Sequence, residues 1–305
     1  MTNASKYTGK LLVIEGPTAS GKTGIAIEIA TCFGAQIISA DSRQFYKELP
    51  IGTAAPTTIE QKKAPHHFVG MLSVTDNYNA SQFENDVIEL LDNKLVNETI
   101  VIMVGGSGLY IDAVCNGIDI LPDIDNSIRN EVKKIFKEEG LTALQDKLQK
   151  MDPDYYEVVD LNNPSRLQRA IEVCIQTGMP YSKLRKNNPQ SRSFDIIKVG
   201  IKVPREILIN RINNRVDEMI TRGWVEEAKL VYPYRDNNSL NTVGYKELFA
   251  FFDNKMSFDQ AVEKIKTNTR RYAKRQMTWF RKDKQIEWFD SDDIAEMVEF
   301  VKSRS

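Results

Sequence analysis

The sequence predicts an α/β fold, a doubly wound and mainly parallel sheet that carries a helical insertion. Three observations point there. Short apolar, β-branched runs without polar alternation recur along the chain, as strands buried on both faces require. Segments of helical periodicity separate them, which is the pattern of β-loop-α-β units. Between Pro122 and Arg192 the strand signals vanish, marking a separate helical piece.

In order, Leu11-Leu12-Val13-Ile14 reads as a buried strand, a glycine-containing loop follows, Gly24 to Phe33 has apolar residues at helical spacing, and Gln36 to Ala40 is a second strand. After a helical stretch around Ser81 to Val96 comes a strand at Thr99 to Val104, with two more at Ile196 to Val203 and Ile286 to Phe289. In the helical piece, Ile128 to Glu138, Leu141 to Lys150 and Arg166 to Thr177 read as helices separated by Gly140, Asp152-Pro153 and Asn163-Pro164. The expected division is a core of residues 1–121 and 196–305 that includes a C-terminal basic helix, with 122–195 inserted as a helical domain. Lys186 to Ser193 is polar enough to be a linker.

Composition narrows the class. With 305 residues and 41% apolar content the chain can bury a substantial core, which excludes a disordered protein. The 41 basic and 42 acidic residues leave a net charge of -1, which by itself argues neither for nor against a polyanionic partner. Met1 to Lys10 lacks the apolar core of a secretory signal, and no run approaches the roughly 18 apolar residues needed to span a bilayer, so a soluble, unexported protein with no membrane partner is expected. Cys32, Cys115 and Cys174 are odd in number and far apart, which suits neither a disulfide framework nor a clustered zinc site and fits a reducing cytoplasm. His66 and His67, the only histidines, point to opposite faces of an extended segment, so structural roles are expected rather than a shared metal.

Gly16-Pro17-Thr18-Ala19-Ser20-Gly21-Lys22-Thr23 matches G-x-x-x-x-G-K-[ST] with a strand before it and a helix after it. The glycines let the backbone curl so that its amides and the helix N-terminus face an anion, Lys22 adds a mobile positive charge, and the Thr23 hydroxyl can ligate Mg²⁺. This phosphate-binding loop makes the sheet P-loop NTPase-like. It does not say which phosphate compound is held, ATP being only the commonest. The strand Ile100-Val101-Ile102-Met103-Val104 ends in Gly105-Gly106 and offers no carboxylate, whereas the strand Ile37-Ile38-Ser39-Ala40 ends in Asp41 at the carboxyl edge where open α/β sheets bind ligands. Asp41 is therefore a candidate metal ligand or general base; its structural alternative is a helix N-cap. Gly105-Gly106-Ser107-Gly108 is a second candidate anion nest or merely a tight strand-to-helix turn.

Between Lys264 and Lys284 stand nine Lys/Arg and one acidic residue, Asp283, a local net of +8 that leaves -9 for the rest of the chain. On a helix, Val262, Ile265, Thr269, Tyr272, Gln276, Trp279 and Phe280 share an arc of about 100°, and Lys264, Lys266, Arg270, Arg271, Lys274 and Arg275 fill the remainder. One face docks on the protein and the other is cationic, which is either a solvated surface or the footprint of a nucleic-acid backbone.

With these residues in view the chain resembles the tRNA dimethylallyltransferases, over nearly its whole length. The resemblance rests on residues 16 to 23, Asp-Ser-Arg-Gln-Phe-Tyr at 41 to 46, Gly-Gly-Ser-Gly-Leu-Tyr at 105 to 110, and Asn-Pro-Ser-Arg-Leu-Gln-Arg-Ala at 163 to 170. It continues through Arg-Ile-Asn-Asn-Arg at 211 to 215, Val-Gly-Tyr-Lys-Glu at 243 to 247, and the basic stretch 269 to 281. Two departures stand out: Ser107 where the family commonly has threonine, and Asn162-Asn163-Pro164 where it has Asn-Asp-Pro.

The resemblance implies transfer of a dimethylallyl group from dimethylallyl diphosphate to the N6 amine of the adenosine 3′-adjacent to the anticodon, with Mg²⁺, by a cytoplasmic monomer acting on the anticodon arm of tRNA. Asp41 would take the proton of the amine, and Lys22, Thr23 with its Mg²⁺, and Arg211 or Arg215 would meet the departing diphosphate, with Arg211 preferred. It further implies tRNA contacts from Asp41, Ser42, Arg43, Gln44, Ser107, Arg129, Ser165, Arg166, Leu167, Gln168, Arg169, Lys274, Arg275, Gln276 and Arg281. A target base must leave its stack to reach a buried donor, so a channel for a flipped nucleotide is expected. The competing reading is an ATP-dependent kinase of a nucleotide or small molecule, which shares the P-loop and the sheet but leaves the basic helix unexplained. An RNA-binding protein without chemistry would leave Lys22, Thr23 and Asp41 unused.

Overall fold

The computed structural model describes residues 6–119, 121–185 and 190–304, so the first half of the expected linker lies outside the described residues. In chain order the elements are β1 (Lys10–Glu15), α1 (Lys22–Phe33), β2 (Gln36–Ser39), α2 (Thr58–Lys63), β3 (His66–His67), α3 (Ala80–Asn93), β4 (Ile100–Gly105) and α4 (Gly108–Asn116). Then come α5 (Asn126–Met151), α6 (Pro153–Tyr156), α7 (Pro164–Thr177) and α8 (Tyr181–Leu184). The chain closes with β5 (Asp195–Lys202), α9 (Arg205–Thr221), α10 (Trp224–Val231), α11 (Tyr245–Phe252), α12 (Phe258–Phe280), β6 (Glu287–Asp290) and α13 (Ile294–Arg304). Two compact units result: residues 6–116 with 191–304, and residues 117–190.

The six strands of the first unit form one sheet in the order β3-β2-β4-β1-β5-β6, with every pairing parallel. Central β1 and β4 are apolar on both faces because both are covered. Leu12, Ile14, Ile102 and Val199 pack with Ile25 and Ile29 of α1 and Met297 and Val301 of α13. On the opposite face Leu11, Val13, Val101 and Met103 pack with Phe83 and Val87 of α3, Ile111 of α4 and Phe280 at the end of α12. A further core in the same unit joins Val216, Met219, Trp224, Tyr245, Leu248 and Ile265 from α9 to α12 with Tyr46, Leu49 and Val74. The doubly wound, mainly parallel sheet is thus as the alternating apolar runs predict. The parallel arrangement puts the segments after β1, β2 and β4 on one edge, where ligands bind in such sheets.

In the second unit α5 and α7 bury Val132, Leu144, Leu148, Leu167 and Ile171. Gly140, at φ +82°, breaks α5 where two separate helices were expected. The buried Asp152 carboxylate is fully used: it caps α6 by accepting from the Tyr155 amide at 3.1 Å and accepts from the Ser182 amide and hydroxyl, both at 2.7 Å. No helix among the described residues is long and apolar enough to cross a membrane.

Candidate active site

The phosphate loop curls at two left-handed positions, Ala19 at φ +63° and Gly21 at φ +91°. Gly21 is also the N-cap residue of α1 and supplies no side-chain cap, so the first amides of a twelve-residue helix face outward with their partial positive charge. Ser20 is buried and its hydroxyl has no partner. Among the described residues the Lys22 ammonium hydrogen-bonds only the Pro17 carbonyl, at 3.2 Å, and burial lowers its pKa to about 8; the Asp41 charge opposes that shift and the Arg215 charge adds to it. A cation and a hydroxyl left short of partners beside open amides form a cradle for a polyphosphate.

Asp41 follows β2 and does not cap a helix. Its carboxylate accepts from the Arg43 amide at 3.0 Å, and the Gln44 amide donates to the Asp41 carbonyl at 3.1 Å, so residues 41 to 45 form a turn. Asp41 lines two adjoining cavities. One, of about 50 Å³, is shared with Lys22, Thr23, Ser39 and Arg215. The other, of about 100 Å³, has an apolar wall of Ile212, Val216, Met219, Trp224 and Val243. A 270 Å³ cavity opens along Lys22, Thr23, Arg215 and Arg222, and a 540 Å³ cavity beside Arg43 is lined by Asn241, Lys246, Lys264, Tyr272 and Arg275.

The arginine preference is reversed by this geometry. Arg211 lines none of these four cavities; it reaches the Ser20 carbonyl at 3.5 Å and Ser291 at 3.4 Å, with Asp292 at 3.9 Å. Arg215, one turn further along α9, lines three of them, and burial lowers its pKa against the opposing charge of Asp41. An i, i+4 spacing gives the shared helix face but not which member points inward.

Other residues expected at the RNA are used by the protein itself. Gln44 is buried, accepts from the Ser39 hydroxyl at 3.0 Å and donates to the Thr53 and Ala54 carbonyls at 3.2 and 3.1 Å. Gln276 is buried against the phosphate loop. Leu167 is fully buried in the second unit's core, so its side chain offers nothing to a ligand. Ser107 accepts from the Ser42 amide at 3.0 Å and donates to the Ser42 hydroxyl at 3.2 Å, tying the segment after β4 to the one after β2. Arg43 donates to the Asn238 and Ser239 carbonyls at 2.9 and 3.1 Å while lining two cavities. In the second unit Ser165 and Arg166 are exposed at the start of α7, Gln168 and Arg169 are half-buried, and the Arg129 Nε is buried without a partner. Burial lowers the Arg169 pKa, opposed by Glu172.

Gly105, which ends β4, and the glycines that follow it allow close packing. A Cβ on Gly105 would lie 2.1 Å from the Ala40 carbonyl oxygen, one on Gly106 2.2 Å from Gln276 Nε2, and one on Gly108 2.4 Å from Trp279. Gly244 has the same logic, since its Cβ would sit 2.0 Å from the Trp224 ring. Tyr272, Trp224 and His66 were not foreseen at the site. His66 and His67 do hold the edge strand, donating to the Ala64 carbonyl at 2.7 Å and to Gln36 Oε1 at 2.8 Å. His66 additionally lines the 50 Å³ cavity with its Nε2 buried and unpartnered, and burial lowers its pKa. Its only sequence signal was position beside a strand that ends at the ligand edge.

On α12, Lys266 pairs with Asp217 at 2.8 Å and Arg270 donates to Asn213 at 2.7 Å, so these two cations fasten α12 to α9. Lys264, Arg271, Lys274, Arg275 and, just past the helix, Arg281 are exposed. Among the described residues no cluster of three or more His, Cys, Asp or Glu could hold a metal alone. The Thr23 hydroxyl and Asp41 carboxylate at one cavity are nevertheless hard oxygen donors, and they suit a Mg²⁺ whose remaining ligands are water and substrate phosphate.

The family model described as IPP transferase matches residues 44–283. A relative named tRNA dimethylallyltransferase 2, from Azobacteroides pseudotrichonymphae, is 52% identical over 286 residues, covering 94% of this chain and 93% of its own. Among solved structures, the full-length tRNA isopentenylpyrophosphate transferase of Bacillus halodurans is 33% identical with a TM-score of 0.71, covering 97% of both chains. A eukaryotic dimethylallyltransferase captured acting on tRNA is 26% identical with a TM-score of 0.76, covering 97% of this chain and 77% of that one. The chain belongs to the IPP transferase family, whose relatives are the tRNA dimethylallyltransferases.

Proposed function

We propose that this protein transfers a dimethylallyl group from dimethylallyl diphosphate to the N6 amine of the adenosine next to the anticodon in tRNA, releasing diphosphate. The observation that carries the reading is the position of Asp41, which lines both the cavity of Lys22, Thr23 and Arg215 and the apolar cavity of Val216, Met219 and Trp224. The diphosphate rests on the phosphate loop and the five-carbon chain lies against the apolar wall. The nucleoside enters from the large cavity beside Arg43, Tyr272 and Arg275.

An exocyclic adenine amine is a poor nucleophile because its lone pair is delocalised into the ring. Asp41 accepts its proton as nitrogen bonds to the allylic carbon and the carbon-oxygen bond to diphosphate breaks. The charge that builds on the leaving oxygen is met by the loop amides, Lys22 and Arg215, all fixed before reaction begins. Thr23 would hold Mg²⁺, which would supply further neutralisation of the diphosphate. The exposed cations of α12 hold RNA phosphates, and Arg129, Ser165, Arg166, Gln168 and Arg169 of the helical unit contact the anticodon arm.

A kinase reading is not favoured, because the family match extends from residue 44 to residue 283 and so lies beyond the phosphate loop. The test is incubation with Mg²⁺, unmodified tRNA and either dimethylallyl diphosphate or ATP, read by nucleoside mass. Isopentenyl adenosine formed with the diphosphate is expected; its absence together with ATP turnover overturns the assignment.

A further inference from the structure

Gln276 sits where the cationic helix meets the phosphate loop. It is 5% exposed. Its Oε1 accepts from the Thr18 amide at 2.8 Å and its Nε2 donates to the Gly106 carbonyl at 2.9 Å. One carboxamide thus bridges the loop after β1 and the loop after β4. Gly106 leaves room for it, and the Cβ position that Gln276 excludes there is also 3.8 Å from Lys22 Nζ, so the bridge adjoins the loop lysine. Trp279, three residues on, fixes the same helix by donating to Asp112 at 2.9 Å.

The outer face of that helical turn carries exposed Lys274 and Arg275, while Thr269 and Tyr272 line the cavity that Asp41 borders. A rigid helix with cations outside and a two-pronged hydrogen bond inside transmits any shift of its axis to Thr18. Resting on the reading that diphosphate occupies the phosphate loop and RNA the face of α12, we propose that Gln276 is a positioning residue that couples the two. Its bridge holds the loop amides in their anion-binding arrangement, and RNA phosphates on α12 relieve the repulsion among its cations and steady the bridge. Diphosphate therefore binds more tightly when RNA is present, and by linkage RNA binds more tightly when diphosphate is present.

The test uses inorganic diphosphate with Mg²⁺, which cannot be transferred, and an unmodified anticodon stem-loop RNA, each titrated calorimetrically with and without the other. In the unsubstituted protein the RNA is expected to tighten diphosphate binding by about 5- to 20-fold. In Gln276→Leu that tightening should vanish and the KM for dimethylallyl diphosphate should rise more than kcat falls, with RNA affinity alone unchanged. Gln276→Glu keeps the acceptor for Thr18 and loses the donor to Gly106, so part of the coupling should survive. Equal coupling in all three proteins, or a loss of melting temperature in the variants with coupling intact, makes the bridge structural only and overturns the proposal. Absence of coupling in the unsubstituted protein overturns it too. Failure of that protein to bind diphosphate at all overturns instead the placement of the donor on the phosphate loop, and the proposal with it.

Discussion

Lys198 gives its ammonium to Asp283, at 2.5 Å, although Glu15 beside it is the more deeply buried carboxyl. Burial opposes ionisation of Asp283, but Lys198 and the Gln285 amide together hold its pKa below the usual carboxylate range. Glu15 receives only part of the Lys198 field. Burial pushes its pKa up to about 8, and Asp112 and Asp283 add to that.

A stability change with pH follows. A carboxyl whose pKa is raised in the fold favours the native state while protonated, and that advantage is complete below the unfolded value of 4.5 and is lost as pH rises toward about 8. Glu15→Gln keeps the shape and removes the charge. Chemical denaturation at pH 5 and pH 8 should show the variant about 1–3 kcal/mol more stable than the unsubstituted protein at pH 8 and nearly equal to it at pH 5.

The two arginines of α9 separate in a steady-state assay. Arg215→Ala removes a half-buried cation that lines the phosphate-loop cavities and should raise the KM for dimethylallyl diphosphate by about 10²- to 10³-fold. Arg211→Ala breaks long contacts to Ser20, Ser291 and Asp292 at a half-exposed site and should change it by less than about tenfold. Equal losses would place both guanidiniums on the diphosphate.

Asp41→Asn keeps the turn, since an amide oxygen still accepts from Arg43, and removes the proton acceptor. Single-turnover transfer should slow by about 10²- to 10⁴-fold while the dissociation constant for tRNA stays within about threefold. A large loss of tRNA affinity with normal turnover would make Asp41 a docking residue.

The sheet and the phosphate loop were legible because they depend on local signals: unbroken apolar runs for β1 and β4, and a motif whose spacing is its mechanism. The direction of a side chain on a helix was not. Arg211 and Arg215 are equivalent in periodicity until α9 and α12 are seen to pack together through Lys266 with Asp217 and Arg270 with Asn213. The short helices α10 and α11 escaped notice for the same reason: Trp224 is held between Gly52 and Gly244, contacts made across the chain. Leu167 shows the limit of carrying a motif over residue by residue, since the run that places Arg166 and Gln168 outward needs one member buried as the core of α7.

Lys22 predicts a pH dependence at the donor site. With burial lowering its pKa to about 8, the unliganded protein loses this cation as pH rises through that value. Diphosphate favours the charged form, so its affinity is expected to fall by up to about tenfold per pH unit above 8 and to be flat between 6.5 and 7.5. Diphosphate titrations across that range test this, and Lys22→Met should bind weakly with no such decline.

The cations of α12 divide into fastened and free, and salt distinguishes them. Each phosphate contact contributes a slope of about -0.7 to -0.9 in log K against log salt. Replacing exposed Lys274 and Arg275 with alanine should therefore make the slope for tRNA binding shallower by about 1.4 to 1.8 and leave the melting temperature nearly unchanged. Replacing Lys266 and Arg270, which reach Asp217 and Asn213, should lower the melting temperature and leave the slope as it was. If both double variants change the slope alike, all of these side chains meet RNA and the contacts to α9 open on binding. If neither does, α12 is a solvated helix and the phosphates of tRNA are held elsewhere.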